Sequence, residues 1–243
     1  MNLAHYLEFQ ELLSKYKVSE HAATVLKELK LVLLTGVTSS GRNTIIRHQL
    51  QTGLYHYIIS DTTRPPRIND GVLEQNGREY WFRPEGDILA DIKAGEYLEA
   101  ELIHDQQVSG ISIRELEVAR QDKKIAITDV DLAGIHNIVR VKPDTVAVML
   151  LPPSFEEWQK RLTGRGKMSV QEQKNRLQTA QKVFLDGVNQ EFYSFIIAEN
   201  IEQSGEIIDS LAVGGINPHQ DRGQVLVRQL LNDLQSYIAS NIN

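Results

Sequence analysis

The chain has 243 residues, with 26 Lys and Arg against 32 Asp and Glu, a net charge of −6 and no cysteine. That acidic balance, with a pI of about 5.7, excludes a whole-surface attraction to nucleic acid or to anionic membrane. The missing thiols exclude disulfides, thiolate metal sites and cysteine nucleophiles. The start, Met1-Asn2-Leu3-Ala4-His5-Tyr6, has no basic segment leading into an apolar stretch, and no apolar run approaches the roughly 20 residues that span a bilayer. The expectation is one cytoplasmic domain with extensions.

In chain order, residues 2–30 predict two amphipathic helices. The second starts near Ser19 and carries Ala22, Val25, Leu26 and Leu29 at helical spacing. Leu31-Val32-Leu33-Leu34-Thr35 is an apolar run ended by glycine, the pattern of a buried parallel strand. A helix to about Thr52 and a strand over Tyr55–Ser60 follow. Residues 64–79 are rich in turn residues and predict a loop or hairpin. Strands are expected at 97–103, 124–130, 144–151 and 193–198. Helices are expected at about 84–94, 112–121, 131–140, 154–163, 169–188 and 202–212. Alternation of this kind gives crossover connections and a mainly parallel sheet covered by helices. After a linker at 214–222, residues 223–239 predict a last amphipathic helix. The chain divides into an extension at 1–30, a central domain at 31–213 and a linker plus helix at 214–243.

Gly36-Val37-Thr38-Ser39-Ser40-Gly41-Arg42-Asn43-Thr44 places two glycines between a strand and a helix at the spacing of a phosphate-binding loop. Glycines let the backbone wrap and aim its N–H groups at phosphate oxygens, and the helix N-terminus adds a positive dipole end. The full motif then carries lysine and Ser/Thr, where this chain has Arg42 and Asn43. Arg42 keeps the charge but exchanges a compact ammonium for a planar fork. Asn43 lacks the hydroxyl that meets Mg²⁺, and Thr44 stands one residue later as a substitute. Without a ligand, the same residues would be a plain strand-to-helix turn. Arg64 and Arg67, three apart in a proline-stiffened loop, suit bidentate capture of a phosphate dianion, or they form surface salt bridges. Asp129 and Asp131 end a strand at its carboxyl end, where open α/β sheets place ligands. Asp131 is also placed to cap the next helix.

Further blocks carry a resemblance. Ser60-Asp61-Thr62-Thr63-Arg64-Pro65-Pro66-Arg67 with Gly77-Arg78-Glu79-Tyr80-Trp81-Phe82 resembles the acceptor segment of guanylate kinases. Gly95-Glu96-Tyr97-Leu98-Glu99-Ala100 and Thr128-Asp129-Val130-Asp131-Leu132-Ala133-Gly134 follow in that family's order. So do Arg161-Leu162-Thr163-Gly164-Arg165-Gly166 and Asn175-Arg176-Leu177. These collinear blocks cover about 31–212.

The resemblance implies an α/β fold: a P-loop NTPase-type parallel sheet flanked by helices, with a GMP-binding insert and a helical lid. Helical N- and C-terminal extensions lie outside it. It implies transfer of the ATP γ-phosphoryl group to GMP, with Mg²⁺ as cofactor, and ATP and GMP as partners rather than nucleic acid or membrane. Ser60, Arg64, Arg67 and Tyr80 would hold the GMP phosphate, and Glu99 would accept the N–H groups of guanine. Asp129 and Asp131 would assist guanine recognition and organise metal and phosphates. Gly36, Thr38, Ser39, Ser40, Gly41, Arg42, Asn43 and Thr44 would bind the ATP phosphates. Arg42, Arg161, Arg165 and Arg176, with Lys167 nearby, would stabilise the transferring group.

The departures from the family pattern lie mainly on the donor side. Besides Arg42 and Asn43, Val108 or Ser109 stands where a tyrosine is usual and Ile111 where a serine is usual. Ala198 stands at the place of an asparagine near adenine, unless Asn200 takes that role. A second reading therefore stays open, a weakened or non-catalytic module that binds GMP or a protein partner. A kinase for another phosphate acceptor fits poorly with Glu99.

Overall fold

Leu31–Thr35 forms β1 with all five residues buried, as a strand covered on both faces requires. The computed structural model describes residues 3–69, 71–103, 105–164 and 169–241. Two helices precede β1, α1 (Tyr6–Ser14) and α2 (Glu20–Glu28), and Ser19 caps the second by accepting the Ala22 N–H. After β1 come α3 (Arg42–Gln51), β2 (Tyr55–Tyr57), β3 (Asp61–Thr62), β4 (Ile68–Asn69), β5 (Val72–Leu73) and β6 (Trp81–Phe82). The chain continues through α4 (Glu85–Lys93), β7 (Tyr97–Ile103), β8 (Gln107–Ser112), α5 (Ile113–Gln121), β9 (Ile125–Asp129) and α6 (Leu132–Val141). It finishes with β10 (Val146–Leu151), α7 (Phe155–Thr163), α8 (Val170–Asn189), β11 (Tyr193–Ile197), α9 (Ile201–Ala212) and α10 (Gln220–Asn241). This is an α/β protein whose parallel strands are flanked by helices, with helical extensions at both ends. Among the described residues, no helix is long and apolar enough to cross a membrane.

The residues group into two compact units. One comprises Met1–Lys30, Tyr55–Thr128 and His136–Asp144. In it β2 pairs in parallel with β9, and a separate four-stranded sheet runs in the order β6-β3-β8-β7. In that sheet β8 is antiparallel to both β3 and β7. Phe9 of α1 and Ile88, Leu89 and Ile92 of α4 pack with Tyr97 and Val108 into one core. A Phe buried completely, as Phe9 is, removes enough apolar surface for about 1.5–3 kcal/mol.

Asp61 is fully buried and fully engaged. It accepts from Arg83 at 2.9 Å, Arg114 at 2.8 Å and the Tyr97 hydroxyl at 2.6 Å. A buried carboxylate persists only when paired in this way. Burial, with Asp61 adding to it, pushes the Tyr97 phenol well above its ordinary range.

The other unit comprises Leu31–Leu54, Asp129–Ile135 and Thr145–Asn243. Its strands β1, β10 and β11 pair in parallel, with β10 between the other two. α3 packs on α9, and α10 packs on α8, α7 and β11.

Several elements differ from the sequence expectation. The strand expected over Tyr55–Ser60 ends at Tyr57. Ile58 still donates to Ile127, but the Ser60 carbonyl accepts the Trp81 N–H, so the chain has left for the other sheet. The last helix starts at Gln220 because the Asn217 side chain accepts the His219 N–H and its carbonyl accepts the Gln220 N–H. β8, like the two-residue strands β3 and β6, has no counterpart in the sequence reading. The glycine of β8 is required by close approach: a Cβ at Gly110 would lie 2.4 Å from the Glu99 carbonyl oxygen.

Candidate nucleotide site

β1 delivers the chain into the glycine loop, and α3 carries it away. Gly36 at φ 147°, Ser39 at 67° and Gly41 at 105° wind the backbone between them. Gly36 admits no side chain, because a Cβ there would lie 2.6 Å from the Leu150 carbonyl oxygen. The Gly41 carbonyl accepts from Thr44 and Ile45 to start α3, and Ser40 donates to the Val37 carbonyl. The fully buried Trp158 of α7 donates its indole N–H to the Thr38 carbonyl at 2.8 Å, pinning the loop from behind.

The loop opens on a cavity of about 550 Å³, within the range of small-molecule sites. Ser39, Ser40, Gly41, Thr44 and Ile45 line one side, and Arg161 and Ala198–Ile201 line another. The Ser39 and Ser40 hydroxyl oxygens are buried without a hydrogen-bond partner. Buried hydroxyls are normally satisfied, so two orphans at one loop fit a cradle for an acceptor-rich group such as a phosphate chain.

The other donor-side candidates are placed as follows. Arg161 donates to Glu157 at 2.8 Å and to the Ala198 carbonyl at 3.3 Å. Arg42 lies 3.6 Å from Asp129, so its charge is directed to that carboxylate. Asn43 is exposed and is not part of the cavity lining, whereas Thr44 is. Asp131 accepts the Gly134 N–H at 2.9 Å and caps α6. Arg176 is held by Glu172 one turn earlier on α8. Asn200 caps α9 by accepting the Gln203 N–H at 2.8 Å. Arg165 and Lys167 lie outside the described residues.

Among the acceptor-side candidates, Arg64 is nearly enclosed. It donates to Glu74 through both arms of its guanidinium, one at 3.0 Å, and stacks 4.7 Å from the Tyr80 ring centre and 5.5 Å from that of Phe82. The Arg64 and Glu74 side chains are 9% and 5% exposed. The Glu74 hydrogen bonds hold the Arg64 guanidinium above its ordinary pKa. Glu74 also accepts the Arg67 N–H at 2.8 Å. The Arg67 side chain is exposed and reaches the Gln107 side-chain oxygen at 3.2 Å. Glu99 of β7 stands opposite Ile111, on the face shared with Glu101 and Ser109. Ser60 sits between β2 and β3, partly buried. Val108 is fully buried in the core, so the hydroxyl at this part of β8 is Ser109, which donates to Thr62 at 2.8 Å.

Sequence reasoning passed over Glu74, Gln107 and Trp158. Glu74 had a signal, as an acid close to two arginines that need a counter-charge in any buried setting. Trp158 and Gln107 had none, because their roles arise from elements distant in sequence.

A buried strand, a glycine loop with left-handed turns, and a helix opening on a cavity define the P-loop nucleotide-binding class. Within that class, the guanylate kinase family model matches residues 28–212, and the chain belongs to the guanylate kinase family. A guanylate kinase of Corynebacterium glutamicum is 33% identical over 187 residues, covering 76% of this chain and 95% of that protein. One from Porphyromonas gingivalis is 34% identical over 157 residues, covering 63% and 81%. A crystal structure of guanylate kinase from Anaplasma phagocytophilum superposes with a TM-score of 0.53 at 21% identity, covering 86% and 97%, a likeness of fold.

Proposed function

We propose that this protein transfers the γ-phosphoryl group of ATP to GMP, giving ADP and GDP. The glycine loop carries the reading, because it opens on a cavity with two buried hydroxyls awaiting an acceptor-rich ligand. The ATP phosphates lie along the loop N–H groups from Thr38 to Thr44, with Arg161 beside them. The GMP phosphate is taken by Arg64 and Arg67 with Ser60 and Tyr80, and guanine by Glu99, with Asp129 and Asp131 assisting.

A phosphate dianion is already a nucleophile at neutral pH, so no general base is needed. One GMP phosphate oxygen forms a bond to the γ-phosphorus as the bond to the β,γ-bridging oxygen breaks. ADP leaves with that electron pair. The protein's part is positioning and charge stabilisation by Arg161, Arg176 and Arg165, with Arg42 at the loop.

Among the described residues, no group of three or more His, Cys, Asp or Glu side chains forms a metal cage. Mg²⁺ would bind chiefly through the substrate phosphates and water, with few protein ligands. Thr44, which lines the cavity, and its neighbour Asn43 are the residues that would hold it. When bound, Mg²⁺ neutralises charge on the β- and γ-phosphates.

An ADP-release assay with GMP, dGMP, AMP and UMP tests the reading. Turnover is expected with GMP first and little with AMP or UMP. No turnover with any acceptor, in a protein that binds GMP, overturns it in favour of a non-catalytic module. Glu99→Gln replaces an acceptor by a donor facing the guanine N–H groups. Its GMP affinity is expected to fall by about 10-fold or more, from hydrogen bonds to a charged group, while AMP use stays flat. Equal losses for both nucleotides would instead give Glu99 a structural role.

A further inference from the structure

β11 is the outermost strand of its parallel set, and its outer edge is closed by side chains instead of a strand. Gln220 donates to the Tyr193 carbonyl at 2.9 Å and accepts the Phe195 N–H at 3.1 Å. Asn217 donates to the Phe195 carbonyl at 2.8 Å, and His219 Nδ1 accepts the Ile197 N–H at 3.3 Å. Residues 193, 195 and 197 are those whose backbone groups face one edge, so three side chains from one short segment complete the ladder. The segment then enters α10, where Arg222 forks onto Glu199 through both arms, one at 3.2 Å.

Glu199 belongs to the wall Ala198-Glu199-Asn200-Ile201 of the loop cavity, which continues β11. The clasp at 217–222 lies beyond residues 28–212, the span that the family model matches.

We propose that this clasp fixes the cavity wall for the donor nucleotide, with Arg222 as a positioning residue acting through Glu199. The inference rests on the reading of that cavity as the ATP site. Arg222 is not among the cavity-lining residues and sets the backbone of 198–201. Arg161 donates to the Ala198 carbonyl from the other side, so the wall is held from α7 and α10 together.

Arg222→Met is the test, read in steady-state kinetics with ATP and GMP varied separately. Arg222 and Glu199 are 59% and 38% exposed, and an exposed pair contributes little to global stability, so the melting temperature should stay near the parent's. The KM for ATP is expected to rise about three- to five-fold, the upper end of what an exposed ion pair contributes. The KM for GMP and kcat should move by less than about two-fold, since only the donor wall is released. Arg222→Lys should fall between parent and Met variant, because it keeps the charge and loses the fork. Adding Arg222→Met to Glu199→Gln should bring no further change. Unchanged ATP kinetics, or equal losses for both substrates with a lowered melting temperature, overturns the proposal. A fluorescent ATP analogue separates the two levels. If the parent binds neither it nor GMP, the proposed function fails. If parent and Arg222→Met bind it equally, only the clasp fails.

Discussion

Arg64→Ala is expected to raise the GMP dissociation constant by about 10²-fold or more while binding of an ATP analogue stays within about two-fold. Two effects add. The acceptor phosphate loses a charge-assisted fork, an interaction of about 1.5–3 kcal/mol. The substitution also takes both guanidinium arms away from Glu74, whose side chain is 5% exposed, and leaves its charge with no cation shown beside it, although the Arg67 N–H bond remains. A buried carboxylate without that partner destabilises the loop, and its charge repels the phosphate. Arg64→Ala/Glu74→Gln should therefore bind GMP better than Arg64→Ala alone, although neither reaches the parent. Calorimetry with GMP and with an ATP analogue checks all three proteins. Unaltered GMP affinity in Arg64→Ala would remove the phosphate from this loop.

Arg42→Lys with Asn43→Ser is expected to raise kcat with ATP and GMP by roughly 10–10²-fold, since misplacement by about 1 Å in a positioning-dominated reaction has costs of that order. The structure gives this expectation a geometric basis. Arg42 sits 3.6 Å from Asp129, so a wide guanidinium is drawn toward a carboxylate at the end of β9. Lysine places a compact charge on a flexible stem, and the second substitution restores the hydroxyl that Thr44 otherwise has to provide. The GMP dissociation constant should scarcely change. Single-turnover kinetics separates chemistry from binding. A double variant no faster than the parent would mean that the loop is adapted to arginine.

Local physics makes much of this molecule readable in advance. Leu31–Thr35 is apolar at nearly every position and ends in glycine, so a buried strand and the loop after it can be placed from the residues alone. Ser19, Ser154 and Ser169 each cap a helix whose start the residue pattern places within about a residue. What stays hidden is pairing at a distance. β8 carries Gln, Ser and Ile at alternate places and acquires its identity from β7 beside it. The same holds for the candidate site. Arg64 and Arg67 stand out by charge and proline context, but their link through Glu74 depends on the β4–β5 hairpin bringing residue 74 back to 67. Arg42 is visible as an oddity in the glycine loop, while its turn toward Asp129 is not. Arg165 lies beyond the described residues, so its part in the lid rests on the motif alone.

The two tryptophans of this chain make it an optical instrument as it stands. Trp158 lies at zero exposure with its indole N–H on the glycine-loop carbonyl of Thr38. Trp81, in the other compact unit, donates to Glu115 at 2.8 Å and lies 6.0 Å from the Arg114 guanidinium. An indole in a dry core emits to the blue of one beside charges and water, so the two contributions separate in a single spectrum. With Trp81→Phe, the remaining emission comes from beneath the glycine loop. With Trp158→Phe, it comes from β6, which also carries Phe82 of the Arg64 stack. Each half of the molecule can thus be watched during titration by its own native fluorophore, with no label attached.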